Sequence, residues 1–422
     1  LVGRREEASI FISDWIHVLK HFGISKEVFM NRDVFVVSAV RSAIGDFGGG
    51  FKSLAPLNLI SPVVKESIER SRLPIDKIGK VILGNTLAVL TANIARQAAI
   101  TCGIPPETPA FTVHCACASG MQALISGVSG LILGEAETAV VGGVESMSNA
   151  PYILASARWG QRLRHAQAVD LLWWGMQEDP IMGGMGLAAD FLAKEYNISR
   201  EEQDEFSALS HQRALAAQSE GYFTDQIVPI EVKEGSKVKV VNTDEHPRAD
   251  ATADKLAKLP PAFSPEGTVT AGNASSINDG AAAIVLATAE ACKKYGLTPL
   301  AKVGVWSIKA APPKMTGVAP VPAVREVLEL AGLALSDIGL IEMNEAFASY
   351  YLSCEKLLKL DRSKVNVNGG GISLGHPVGA TGCRLPVTLT YEMIRRDIQL
   401  GLATLCAGGG MGYAILLRRD FL

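Results

Sequence analysis

Two stretches of this 422-residue chain repeat one pattern, and that repeat constrains the fold more than any other feature. In the first, Cys117-Ala-Ser-Gly-Met-Gln-Ala-Leu opens an apolar helix over 119–133, which leads to a strand over 138–141 and then Gly142-Gly143. In the second, Gly379-Ala-Thr-Gly-Cys-Arg-Leu opens a helix running through Arg395, followed by a strand over 402–405 and then Cys406-Ala-Gly-Gly-Gly. A helix with an apolar face followed by an apolar strand is one unit of a layered α/β core. Two copies of one unit place their helix openings and strand ends about a shared pseudo-axis, and a site shared between halves would lie there.

The rest of the pattern agrees. A strand over 34–40, a helix over 62–71 and a strand over 80–83 predict an α/β layered core. Residues 149–267 break the rhythm with Trp159, Trp173, Trp174, a helix pair around 199–220 and the charged run Asp244-Glu245-His246-Pro247-Arg248. They read as an inserted loop domain. A strand returns over 281–287, and a second half begins near Pro299. The expected division is 1–32 as an N-terminal extension, 33–148 with 268–297 as one half, 149–267 as the insertion, and 298–422 as the other half. Because the strand signal begins at Asp33, just after Met30, residues 1–31 read as an appended or misassigned start. The competing reading is an accessory helix with Ile12, Trp15, Ile16, Leu19 and Phe22 on one face.

Composition excludes several functions. With 40 basic and 43 acidic residues, net charge −3, nothing favours a nucleic-acid partner. Seven widely spaced cysteines do not make a disulfide framework and suit a reducing compartment. No apolar run spans a membrane, since the stretch over 10–24 is broken by Asp14, His17, Lys20 and His21, and Arg418 to Leu422 carries no lipidation or peroxisomal signature. The cytoplasm is the expected location. The glycine runs, such as Gly408-Gly-Gly-Met-Gly-Tyr, match neither a phosphate-cradling loop nor a dinucleotide fingerprint, so ATP and NAD are not implied. Cys115 and Cys117 are too close for a structural zinc pair, and no metal is expected; Cys115 reads as core.

Three residues are suited to chemistry. Cys117 precedes a helix whose unpaired N–H groups and dipole are expected to favour thiolate. His376, in Gly375-His-Pro-Val-Gly-Ala-Thr-Gly, sits where proline and glycines hold an imidazole on an irregular turn. Cys406 stands between a strand and a glycine loop whose amides can point inward.

Over nearly all of Asp33 to Arg419 the chain resembles the thiolase family. The resemblance rests on Cys117-x-Ser-Gly-Met-Gln-Ala, Gly142-Gly-Val-Glu-Ser-Met-Ser, Gly267-Thr-Val-Thr-Ala-Gly-Asn-Ala-Ser-x-Ile-Asn-Asp-Gly-Ala-Ala, Asn344-Glu-Ala-Phe, Asn366-Val-Asn-Gly-Gly, Gly375-His-Pro-x-Gly and Cys406-x-Gly-Gly-Gly-Met-Gly, in family order. It implies a duplicated α/β/α/β/α fold and an acyltransferase that joins or cleaves acyl-CoA. Cys117 would carry the acyl group, His376 would activate its thiol, and Cys406 would take the α-proton of a second acetyl-CoA, or activate CoA in thiolysis. Asn344 would hold a water that forms one oxyanion hole with His376, and the amides of Cys117 and Gly408 would form another. Ser275 and Arg248 would contact CoA. No tightly bound cofactor is implied; the partners are acetyl-CoA, acyl-CoA and CoA, with a homodimer or homotetramer by analogy. Three departures stand out. His114 replaces a usual asparagine and is expected to be structural or to alter the pocket's hydrogen bonding, Gly184-Met185-Gly186 replaces a His-Met-Gly segment and leaves acyl length open, and Ser276 replaces a smaller residue.

Overall fold

The structure is a computed structural model that describes residues 32–421, apart from 88–89, 162, 164 and 182–183. The expectation for 1–31 lies outside the described residues. The strand signal becomes β1 (Val34–Ser42), whose side chains alternate between two cores: Val34, Val36 and Ala39 face one, and Phe35, Val37 and Val40 the other. The change of phase is a bulge. Val36 pairs with Leu286 and Ser38 with Val285, which leaves Val37 as the extra residue.

The remaining long strands are β2 (Val81–Gly84), β3 (Ala110–Val113), β4 (Thr138–Ser146), β5 (Asn278–Thr288), β6 (Ala301–Ala310), β7 (Leu340–Met343), β8 (Leu400–Ala407) and β9 (Met411–Arg418). They run in the order β7-β8-β9-β6-β1-β5-β4-β2-β3, and the two halves join where β1 meets β6 through Phe35–Lys302 and Val36–Ala301. The helices that matter here are α1 (Pro56–Ser71), α2 (Ser119–Ile132), α3 (Met185–Glu195), α4 (Arg200–Ser219), α5 (Pro320–Ala331), α6 (Ala348–Leu358) and α7 (Val378–Arg395).

Three buried clusters set the layers. α1 covers the outer face of the N-terminal strands through Leu59, Ile60, Val63 and Val64. α2 and α7 fill the middle, where Leu124, Val128, Leu385 and Leu389 pack with Ile284 and Leu286 of one half and Ile415 and Leu417 of the other. α5 and α6 cover the outer C-terminal face through Val324, Val327 and Tyr351 beside Leu402 and Leu416. Helix, strand, helix, strand, helix is the layering the resemblance implied.

The two central helices meet at Gly120 and Gly382, equivalent positions of the two repeats. A Cβ on Gly120 would lie 2.7 Å from the Cys383 amide nitrogen, and one on Gly382 would strike the Met121 amide. Each helix opening thus requires a glycine because the other's backbone occupies the space. Some sequence expectations need correction. β4 continues through Gly142-Gly143 to Ser146, and β8 through Cys406 to Ala407. Gly143 interrupts nothing; it makes room for the Gly379 carbonyl of the opposite half. The helix pair expected around 199–220 is the single helix α4, started by a capping box between Ser199 and Glu202 and free of any internal breaker.

Candidate active site

A cleft of about 670 Å³ is lined by Cys117, His376, Cys406, Gly408, Ser275 and Arg248 among others, drawn from both halves of the sheet and from the segment 149–267. Its mouth carries exposed Phe47 and Trp173, 58% and 52% accessible, while its floor is formed by Tyr350, Ile372 and Cys406, at 2%, 1% and 6%. Asn344 stands behind His376.

Cys117 owes its position to a tight turn between β3 and α2. Ala116 is held at φ 46°, in the left-handed region, and the Ser119 hydroxyl braces the turn by accepting from the Cys115 amide at 2.9 Å and donating to the Ala116 carbonyl at 2.7 Å. The Gly408 amide lies toward the Cys117 sulfur and favours its thiolate. Burial nevertheless pushes this thiol up to about 11, against the pull of that amide. The expected thiolate therefore does not form at rest. α2 starts at Ser119, two residues on, and desolvation outweighs its dipole.

His376 is fixed from three sides. Its amide donates to Asn278 Oδ1 at 2.9 Å, Nδ1 lies 2.7 Å from Thr381 Oγ1, and Nε2 lies 3.3 Å from Asn344 Nδ2. The Thr381 hydroxyl donates to the Pro377 carbonyl at 3.0 Å, so it accepts from Nδ1–H and leaves Nε2 as the bare acceptor. Burial, and then the charge of Arg384, push the imidazole down to about 3, so the ring is neutral at rest. Asn278 Oδ1 also accepts from Ser276 Oγ at 2.7 Å, which gives the Ser276 departure a role in bracing the histidine turn. Asn344 Oδ1 is buried with no partner among the described residues.

Cys406 lies inside β8, paired with Gly412, one step before the turn into β9. That turn uses Gly409 and Gly410 at φ 89° and 87°, which explains the glycine run. The Cys406 thiol is raised well above its ordinary value by burial and then by Cys117 and Cys354, so the two cleft thiols lie near each other.

Ser275 is in the cleft wall, its amide donating to the Ala346 carbonyl at 2.9 Å. Arg248 reaches the mouth because the charged run docks onto the loop after β1. Asp244 forms a bidentate pair with buried Arg41 at 2.7 and 2.9 Å, Glu245 accepts from the amides of Asp46 and Gly50, and His246 Nδ1 lies 2.6 Å from Asp46 Oδ1. His114 is exposed and absent from the cleft wall, its Nδ1 facing the Ala116 amide at 3.5 Å. Cys115 is half-buried at the edge of the central core.

Sequence reasoning passed over Thr381, Asn278 and Glu145 as site residues. Each was visible as a polar residue inside a quoted segment of small ones. Glu145 ends up fully buried, accepting from Asn85 Nδ2 at 2.9 Å, Leu87 N at 3.1 Å, Thr86 N at 3.0 Å, the Thr86 hydroxyl and Gly379 N at 3.1 Å. It ties the end of β4 to the opening of α7, three residues past His376.

Both halves of the chain match known proteins. Residues 34–290 match the thiolase N-terminal domain and 297–419 the thiolase C-terminal domain. The acetyl-CoA acetyltransferase of Pseudomonas aeruginosa is 46% identical over 396 residues, covering 92% of this chain and 100% of that protein. The crystal structure of the Bacillus anthracis acetyl-CoA acetyltransferase superposes with a TM-score of 0.90 at 48% identity, covering 92% and 98%. The human mitochondrial 3-ketoacyl-CoA thiolase in complex with CoA gives 0.89 at 40% identity, again covering 92% and 98%. The chain belongs to the thiolase family.

Proposed function

We propose that this thiolase catalyses the reversible condensation of two acetyl-CoA to acetoacetyl-CoA and CoA, with the acyl group carried on Cys117. The observation that carries the reading is the convergence of Cys117, His376 and Cys406 in one cleft, with Gly408 in the same wall.

His376 Nε2, kept unprotonated by the Thr381 contact, takes the Cys117 proton as sulfur attacks the thioester carbon. The oxyanion that forms is met by the Cys117 and Gly408 amides. CoA leaves with the Cys406 proton, so Cys406 becomes a thiolate in an apolar site, where it is a strong base. It then takes the α-proton of a second acetyl-CoA, and the enolate oxygen lies toward His376 and a water held by Asn344. The carbon attacks the acyl group, Cys117 departs as thiolate, and His376 returns its proton. Ser275 and Arg248 bind CoA from the wall and mouth, and residues 149–267 form the CoA-binding insertion between halves 33–148 with 268–297 and 298–422. Coenzyme A thioesters are substrates, and no resident cofactor is required.

Thiolysis of longer 3-ketoacyl-CoA uses the same residues, and the likeness to the human 3-ketoacyl-CoA thiolase favours keeping it as the second reading. A noncatalytic acyl-CoA-binding protein is disfavoured because all three reactive side chains line the cleft. The proposal extends to a cytoplasmic homodimer or homotetramer, checked by fractionation and light scattering; among the described residues no helix is long and apolar enough to cross a membrane. The deciding experiment is acetoacetyl-CoA thiolysis with intact-mass detection of acetylated Cys117. Turnover lost in Cys117→Ala with the fold intact supports the reading, and full activity in that variant refutes it.

A further inference from the structure

CoA entering at the Arg248 mouth brings its acyl end to the thiols, so the distal carbons of the chain meet whatever lies beyond the sulfur atoms. What lies there is Tyr350, in the first turn of α6, 2% accessible yet part of the cleft wall beside Cys406. The ring cannot swing aside. Phe347 packs against it edge-on at 5.0 Å and 66°, and on another side Gly317 is so close that any Cβ there would strike the ring. Its hydroxyl donates to the Met185 carbonyl at 3.1 Å, which holds the first turn of α3 against the floor. Met185 lies in the Gly184-Met185-Gly186 segment where acyl length was left open. The Tyr350 hydroxyl is raised by burial first and then by Cys406 and Cys117, as fits a ring close to both thiols.

We propose that Tyr350, locked between Gly317, Phe347 and Met185, closes the acyl end of the cleft and restricts this enzyme to short-chain 3-ketoacyl-CoA. This rests on the thiolase reaction assigned above. Chain elongation past the closed floor requires moving a packed ring, whereas acetyl and acetoacetyl groups end before it.

The test is thiolysis of acetoacetyl-, 3-ketohexanoyl- and 3-ketooctanoyl-CoA by the purified full chain, read as kcat/KM. Each poorly accommodated methylene changes discrimination by roughly tenfold or more. The wild type should fall at least about tenfold from the four- to the eight-carbon substrate, and Tyr350→Ala should raise the eight-to-four ratio by about tenfold or more. Tyr350→Phe, which keeps the ring, should leave the ratio within about twofold. A flat wild-type series overturns the proposal, as does an unchanged ratio in a Tyr350→Ala protein that still cleaves acetoacetyl-CoA. If Tyr350→Ala does not fold, Tyr350→Leu is read in the same way. A wild type inactive on every substrate refutes the thiolase reaction itself, a different outcome from a wrong chain length.

Discussion

His376 Nδ1 lies 2.7 Å from the Thr381 hydroxyl, which is itself committed as a donor to the Pro377 carbonyl. The proton of the imidazole is thereby held on Nδ1, and the bare nitrogen faces Asn344 and the cleft. Thr381 acts through His376 and touches no substrate, so its loss should appear in turnover rather than in binding. Thr381→Val keeps the shape and removes the acceptor. We expect kcat to fall about 10- to 100-fold, within the range of a general base's contribution, with KM for CoA little changed. Thr381→Ser should restore most of the rate. Equal kcat in Thr381→Val and the wild type would show that tautomer control is not needed.

A neutral Cys117 beside a neutral His376 behaves differently from a thiolate–imidazolium pair. The thiol sits near 11 and the imidazole near 3, so between those values both are uncharged. Only thiolate alkylates, and below a raised pKa its fraction grows about tenfold per pH unit. The Cys117 alkylation rate, followed by peptide mass spectrometry with iodoacetamide, should climb steadily from pH 6 to pH 9, within roughly that slope. A plateau beginning near pH 5 or 6 would reveal a resting ion pair and contradict the burial argument.

Cys406 is assigned the α-proton, and its removal should separate the half-reactions. In Cys406→Ala, acetyl-CoA should still acetylate Cys117, more slowly because the leaving CoA lacks its acid. Condensation should fall by at least ~10³-fold, as a missing base of this kind implies. Intact mass reports the first step and acetoacetyl-CoA formation the second. Condensation at the wild-type rate would remove Cys406 from the mechanism.

The duplication was legible because a repeated helix opening and strand leave a pattern in one dimension, and Gly120 and Gly382 fall at its equivalent positions. Cys117, His376 and Cys406 were legible because reactive side chains stand out among glycines and alanines. The charge state of Cys117 was not. It depends on how much of the molecule closes over the sulfur, and a helix opening in the sequence says nothing of that. Likewise β4 and β8 were drawn too short because glycine ordinarily weakens a strand; here Gly142 and Gly143 admit the Ala282 and Gly379 carbonyls, contacts that come from distant parts of the chain. Tyr350 and Thr381 were hidden for the same reason: their partners, Met185 and the His376 ring, meet them through folding or through a helix phase not fixed by composition.

Glu145 is the residue whose removal should reach the site from farthest away. Burial pushes its carboxyl up to about 7, and the donors from Thr86, Leu87 and Gly379 pull the other way, with Asn85 Nδ2 as the fifth donor. A carboxylate satisfies all five because it only accepts, whereas a glutamine must aim its own N–H groups at two or three of them. Leaving buried donors facing a donor costs about 1–3 kcal/mol, so above the carboxyl's value, where it is ionised, Glu145→Gln should lower the unfolding free energy by about that amount in a urea titration, and by less below it. The Gly379 amide is the link from this network to the histidine turn, so kcat should fall as well, about tenfold, while the wild-type rise of alkylation with pH at Cys117 should persist because burial is the main cause of the raised thiol and the Glu145 charge a lesser one. Stability and kcat both unchanged in Glu145→Gln would mean that the β4–α7 tie does not hold His376. A loss of stability with full kcat would make Glu145 a structural residue alone.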